Sequence, residues 1–143
     1  MGKREVDDRF KKFGTVSFTS ITKVNDFVTK LEEGKVSGTC CKECGEKYFP
    51  PRSDCAKCLS RDMDWFDIEG KGKLRTYSKL EYAPIGFEGD LPYSIALVDY
   101  GDYKVFGRLD STLADDEIEV GMEMTTVPNE LPNGQLNYIF KKA

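Results

Sequence analysis

Apolar residues recur at helical spacing in one stretch of this chain and at strand spacing in several. In residues 20–34, SITKVNDFVTKLEEG, the apolar positions Ile21, Val24, Phe27, Val28 and Leu31 return every three or four residues. That period predicts one amphipathic helix, with Ser20 as its N-cap and Gly34 as its C-terminal stop. The preceding residues 1–19 are charged and weakly patterned, which reads as an arm. Beyond Gly70 the period changes to two. In GKLRTYSKLEY, Leu74, Thr76, Ser78, Leu80 and Tyr82 fall on one face, with Lys73, Arg75, Tyr77, Lys79 and Glu81 on the other. YSIALVDY and YKVFGRLD flank the turn pair Gly101-Asp102, and Gly107 inside the second run marks a bulge or bend. A strand around Val120 to Val127 and a last strand, LNYIF, are joined through PNELPNG, where Asn133-Gly134 is a second turn signal. Five strands in roughly 70 residues suit a small barrel, and five is the number in an OB-fold. A small open sandwich is the competing architecture.

Between these two regions, residues 37–67 are rich in cysteine, charge and proline and poor in aliphatic residues. Such a segment cannot bury a core unaided and needs a cross-link. It contains CKECGEKYFPPRSDCAKC, two Cys-x-x-Cys pairs separated by ten residues. Two such turns can each present two sulfurs to one ion, and zinc favours closed tetrahedral sites of this kind over iron. The expected ligands are Cys41, Cys44, Cys55 and Cys58; taking Cys40 instead of Cys41 would change the first spacing, so Cys40 is left spare. Lys42, Lys47, Arg52 and Lys57 lie near enough in sequence to offset the thiolate charge, or simply face solvent. A closed four-sulfur site leaves no position for substrate or water, so the metal is expected to be structural. The expected fold is mainly β: an arm and amphipathic helix over residues 1–36, a four-cysteine zinc ribbon over 37–68 and a five-stranded OB-fold barrel over 69–143.

Composition narrows the setting. The chain has 143 residues, 39% of them hydrophobic, enough for one compact domain or two very small ones. No apolar run is long enough to cross a bilayer, and the start MGKREVDDRFKKFG lacks the apolar centre of a secretory signal. The expectation is a cytoplasmic protein without a membrane partner, in a reducing compartment where paired cysteines serve metals or redox chemistry. Formal net charge is −4, which gives no general attraction for nucleic acid or anionic lipid. From Leu109 to Phe140 there is no Lys or Arg, while seven acidic residues fall there. An anionic ligand should therefore meet the N-terminal two thirds.

The order of helix, CKECG...YFPPR...CAKC and GKGKLRTYSKLEYAPIGFEGDLPYSIALVDY resembles the acyl-CoA-associated family that joins a rubredoxin-like zinc ribbon to an OB-fold. The resemblance spans residues 20–142. It implies a small accessory subunit beside a thiolase-like condensing enzyme, forming a hetero-oligomer that binds a CoA thioester jointly with its partner. Its narrowest form points to the small subunits of benzoylsuccinyl-CoA thiolases in anaerobic aromatic (toluene) degradation. The family lacks the condensing enzyme's catalytic cysteine and histidines, and this chain has no histidine. Thiolase chemistry needs a nucleophile with acid and base groups within reach, so no catalytic residue is expected here.

YAPIGFEGDLPY, residues 82–93, is the candidate ligand or interface loop. Tyr82, Phe87 and Tyr93 could pack on an adenine ring, on a partner's side chain or over the barrel end. Lys73 and Arg75 could meet CoA phosphates, although alternating basic residues on a strand also describe a solvated face. Ile21, Val24, Phe27, Val28 and Leu31 are the candidate partner anchor, unless the chain's own fold takes them. Two rival functions share these modules. One is a single-stranded nucleic-acid-binding module, which the acidic last third disfavours; the other is a rubredoxin-like iron electron carrier.

Overall fold

The computed structural model describes residues 6–16 and 22–143. The one α-helix among the described residues, α1, runs Asp26–Glu32, later and shorter than the spacing predicts. Thr22 accounts for the late start, because its hydroxyl accepts the Val24 N–H and its carbonyl accepts the Asn25 side-chain amide. Those local bonds compete with the helical ladder. Ser20 and Ile21 lie outside the described residues. Gly34 does stop the helix: its φ is +87°, its N–H donates to the Leu31 carbonyl at 3.0 Å, and the Lys35 N–H donates to Lys30 at 2.8 Å. This pair of bonds is the Schellman closure that a left-handed glycine permits.

Three strands follow as a small antiparallel sheet in the order β2-β1-β3, comprising β1 (Ser37–Cys41), β2 (Lys47–Tyr48) and β3 (Met63–Asp67). The remaining five strands are β4 (Gly72–Leu80), β5 (Tyr93–Asp99), β6 (Lys104–Leu109), β7 (Glu123–Glu130) and β8 (Leu136–Lys142). They close into a barrel in the order β4-β5-β6-β8-β7, with β7 returning to β4. All barrel pairings are antiparallel except β6 with β8. This is the five-stranded OB-fold and not the open sandwich. Gly101 and Gly134, with φ of +97° and +82°, sit in the two turns that the sequence marks.

Two strand expectations need correction. The β4 pairing jumps from Leu74 opposite Val98 to Thr76 opposite Leu97, which leaves Arg75 as an inserted residue. A bulge of one residue exchanges the two faces beyond it. Gly72 and Leu74 are buried, whereas residues 75–79 are all exposed, so the single apolar face from Leu74 to Tyr82 does not form. Gly107, by contrast, makes no bulge and pairs in register with Ala96. It is needed for space: a Cβ there would lie 2.7 Å from the Tyr138 ring and 3.3 Å from Phe140.

One apolar core runs through the whole assembly. Phe27, Val28 and Leu31 of α1 pack with Val36, Leu74, Val98, Val105 and Phe140. The N-terminal segment is docked onto this core. Phe10 stacks on Phe27 with ring centres 6.1 Å apart, and Phe13 meets Phe27 edge-on at 5.6 Å. The Gly14 N–H donates to Leu136 at 2.7 Å, and Arg9 donates from Nη1 to Asp26 at 2.8 Å and Thr29 at 2.9 Å. Among the described residues, no helix is long and apolar enough to cross a membrane.

The packing around Gly107 sets a stability test. Gly107→Ala should destabilise the chain by about 1–3 kcal/mol in urea unfolding, because the new methyl must displace packed aromatic rings. Gly89→Ala, with nothing within 4 Å of its Cβ, should change stability by less than about 0.5 kcal/mol. Equal effects at the two positions would refute the close-packing argument.

Candidate metal centre and ligand surface

Cys41 ends β1, and the chain reverses through Gly45 into β2. The Gly45 N–H donates to the Cys41 carbonyl at 2.9 Å, and the Leu59 N–H donates to Cys55 at 3.0 Å. The two knuckles therefore repeat one geometry. Gly45 and Leu59 occupy matching places with φ of +79° and +65°. A leucine in this region is strained by about 1–2 kcal/mol, and Leu59 accepts it with a side chain left 81% exposed. Within each knuckle a backbone N–H points at the first sulfur, Cys44 to Cys41 and Cys58 to Cys55, both at 3.5 Å.

The result brings together all four expected ligands. The Sγ atoms of Cys41, Cys44, Cys55 and Cys58 lie within 4.8 Å of one another, with Cys41–Cys58 and Cys44–Cys55 each at 3.5 Å. Zinc–sulfur bonds of about 2.3 Å in a tetrahedron require sulfur–sulfur edges of about 3.8 Å, so the donor set fits such an ion. Cys40 stands apart, its thiol directed at the carbonyls of Gly45 (3.5 Å) and Cys41 (3.8 Å).

The thiols also need a cation on electrostatic grounds. The Tyr48 hydroxyl, followed by the Cys58 N–H, draws Cys55 down to about 6. The Cys44 N–H lowers Cys41 in the same way. Cys58 moves up to about 12: the Ser60 N–H favours its thiolate, but hydrogen bonding with Cys41, burial and Cys55 outweigh it. Four thiolates this close repel one another until a metal neutralises them. The nearby basic side chains do not do so. Lys42, Lys47, Arg52 and Lys57 instead pair with Asp62, Asp102, Asp54 and Glu46 at 3.3–3.7 Å.

The five residues considered for CoA contact separate into two groups. Phe87 and Tyr93 converge on Arg108, whose guanidinium carbon lies 5.7 Å and 4.0 Å from their ring centres. Arg108 donates from Nη1 to Asp90 at 2.9 Å, and Thr15 donates to the same oxygen at 2.5 Å. Burial works to raise the Asp90 carboxyl, but these two donors outweigh it and leave it below the usual carboxylate range. Tyr82 is 90% exposed, Arg75 is turned to Asp99 at 3.0 Å, and the exposed Lys73 belongs to the β4 segment between β5 and β7. These three do not join Phe87 and Tyr93. Sequence reasoning missed Arg108; its only linear signal is a second basic residue, after Lys104, within the strand YKVFGRLD.

The anchor stripe is corrected by burial. Phe27, Val28 and Leu31 are at most 3% exposed within the chain itself, and Val24 is half-buried. Only Ile21 lies outside the described residues. The fold has already taken the side chains that could anchor a partner, so charged residues at Phe27 or Leu31 would unfold the core and report nothing about docking.

A four-sulfur cluster suited to a structural metal, followed by a closed five-stranded barrel, defines a ribbon-plus-OB-fold protein. Comparison with known proteins gives the family. A rubredoxin-like zinc ribbon domain of the ChsH2 type matches residues 29–64, and the C-terminal OB-fold domain of ChsH2 matches residues 65–127. The chain belongs to this family, also known as DUF35. It is 35% identical over 92 residues to a DUF35 domain-containing scaffold protein of Methanocaldococcus jannaschii, covering 63% of this chain and 64% of that protein. A scaffold protein of the same description from Pyrococcus furiosus is 34% identical over 96 residues, covering 67% of this chain and 69% of the relative. The benzoylsuccinyl-CoA thiolase subunit BbsA of Thauera aromatica is 29% identical over 90 residues, covering 59% and 61% of the two chains. The chain thus spans a little under two thirds of the first of these relatives. Among solved structures, an Ltp2-ChsH2(DUF35) aldolase shares the fold with a TM-score of 0.70 and 24% identity, covering 86% of this chain and 97% of that one.

The ligand assignment predicts different outcomes for neighbouring thiols. Cys44→Ser and Cys55→Ser should each lose stoichiometric metal and the ordered ribbon, whereas Cys40→Ser should retain both. Metal analysis with far-UV circular dichroism checks this. Full metal retention by the Cys44 and Cys55 variants would reject the site.

Proposed function

We propose that this chain is a non-catalytic, zinc-binding subunit of a thiolase-type acyl-CoA acyltransferase complex, working in the cytoplasm. The observation that carries the reading is membership of the ChsH2 family together with the match to a named thiolase subunit. One zinc ion per chain, held by Cys41, Cys44, Cys55 and Cys58, supplies the ribbon with the cross-link its composition lacks. The carbon–carbon bond chemistry belongs to a thiolase-like partner in a hetero-oligomer. This chain supplies no histidine, four of its five cysteines form the metal cluster, and Cys40 faces only carbonyl oxygens. A nucleophile without a base in reach is a poor acyl-transfer catalyst.

The chain supports binding of a CoA thioester jointly with that partner, and benzoylsuccinyl-CoA thiolysis is the narrowest form of the proposal. The loop between β4 and β5 fits such a role. It carries Tyr82 and Ile85, 90% and 94% exposed, beside the Phe87 and Tyr93 pair that flanks Arg108. Large apolar side chains held in water on one loop suit burial against a second subunit.

Purification from the native host followed by mass spectrometry should recover a thiolase-like subunit in stoichiometric amount, and the isolated chain should show no thiolytic activity. Ile85→Asp and Tyr82→Asp should weaken the recovered complex by about 10-fold or more while zinc content and fold stay intact. Elution of this chain alone at micromolar concentration, or turnover by it alone, would reject the proposal.

A further inference from the structure

The N-terminal segment and the barrel line an open cavity of about 530 Å³ between residues 10–16, β5, β6 and β8. Its size lies within the range of small-molecule sites. Phe10, Phe13, Phe106 and Tyr138 supply aromatic walls, and Arg108 is the one charged residue among those that line it. The polar groups at its surface have an asymmetry. The Tyr138 hydroxyl is used, donating to the Phe106 carbonyl at 2.6 Å. Arg108 uses Nη1 alone, on Asp90, which leaves the Nε–Nη2 edge without a partner among the described residues. That edge is the fork that grips a carboxylate through two parallel bonds. Asn137 also lines the cavity; its Oδ1 accepts from Asn129 at 2.8 Å, and its Nδ2 has no described partner. The unused groups are donors, and the walls are aromatic.

We propose that this cavity binds a small aromatic carboxylate, its rings against Phe10, Phe13, Phe106 and Tyr138 and its carboxyl group on the free edge of Arg108. Tyr93 stacks on the guanidinium at 4.0 Å and Asp90 holds its far side, so the fork is fixed before a ligand arrives. A side chain already ordered loses less freedom on binding, which favours affinity. The cavity shares Phe87, Tyr93 and Arg108 with the loop region proposed for the accessory role, but its test needs no partner subunit.

Titration of the full-length, zinc-loaded chain with 2-naphthoate, 2-naphthamide and free coenzyme A tests the assignment by calorimetry and by amide chemical shifts. Naphthoate should bind saturably, at least about 10-fold more tightly than the isosteric amide. Arg108→Gln should remove that preference, and Ile95→Trp, which fills the cavity from the strand position opposite Arg108, should weaken both ring compounds. If Arg108→Gln fails to fold, the acid–amide comparison and the Ile95 variant still decide. Equal affinity for acid and amide, no saturable naphthoate binding in the low millimolar range, or undiminished binding by either folded variant would overturn the proposal. Tighter binding of coenzyme A than of naphthoate would also overturn it, assigning the cavity to a nucleotide instead.

Discussion

Four sulfurs within 4.8 Å of one another mark the centre of a stretch of chain that otherwise reaches the apolar core through little more than Phe49. From Lys42 to Asp62 only Cys55 is buried. Hydrophobic burial cannot order such a segment, since ordering each residue costs about 1–2 kcal/mol of backbone entropy. The metal must therefore supply the ribbon's folding free energy, as in other domains of this size that fold around zinc. The repulsion among the sulfurs makes the dependence sharper, because Cys55 and Cys58 are driven in opposite directions until a cation lets both ionise.

Once stapled, the ribbon is fixed to the barrel at both of its outer ends. Val36 and Ile68 bring β1 and β3 into the common core, joined by the Ile68 N–H to the Val36 carbonyl at 2.8 Å. At the side, Phe66 packs on Tyr103 of the β5–β6 turn with ring centres 4.9 Å apart, and Lys47 lies over both rings at 5.3 Å and 5.6 Å. The stack continues to Tyr100, whose hydroxyl bonds Thr126 in β7. Loss of the metal would release the knuckles first and leave these contacts and α1 on the barrel, because the core side chains of α1 do not depend on the sulfurs.

What could be read in the sequence was chemistry that is local in the chain. A Cys-x-x-Cys pair positions two sulfurs by its own turn, and Gly101-Asp102 sets the β5–β6 hairpin with the two residues between Tyr100 and Tyr103, so both survived folding as expected. Features that depend on distant neighbours were not legible. The Arg75 bulge is a matter of register between β4 and β5, and period two along β4 alone cannot reveal an inserted residue. The charged segment before α1 looked unattached because its two anchors, Phe10 and Phe13, find partners on α1 and on β8, more than a hundred residues apart. Arg108 had the same difficulty: its importance lies in Asp90, Phe87 and Tyr93, none of them close to it in sequence.

The placement of α1 also limits how this chain can act. A helix whose apolar stripe is buried in cis joins the N-terminal segment, the ribbon and the barrel into one unit, and it cannot double as a detachable anchor. The proposed contact with another subunit would then use what the core leaves outside, where Tyr82, Ile85 and Leu59 are the most exposed large apolar side chains among the described residues. None of the three requires internal rearrangement to be buried, so docking can proceed with the zinc site and barrel already formed. Rigid, preformed surfaces lose little entropy on association. That suits the role proposed for this chain, which is to hold a surface in place while the bond-making groups come from elsewhere.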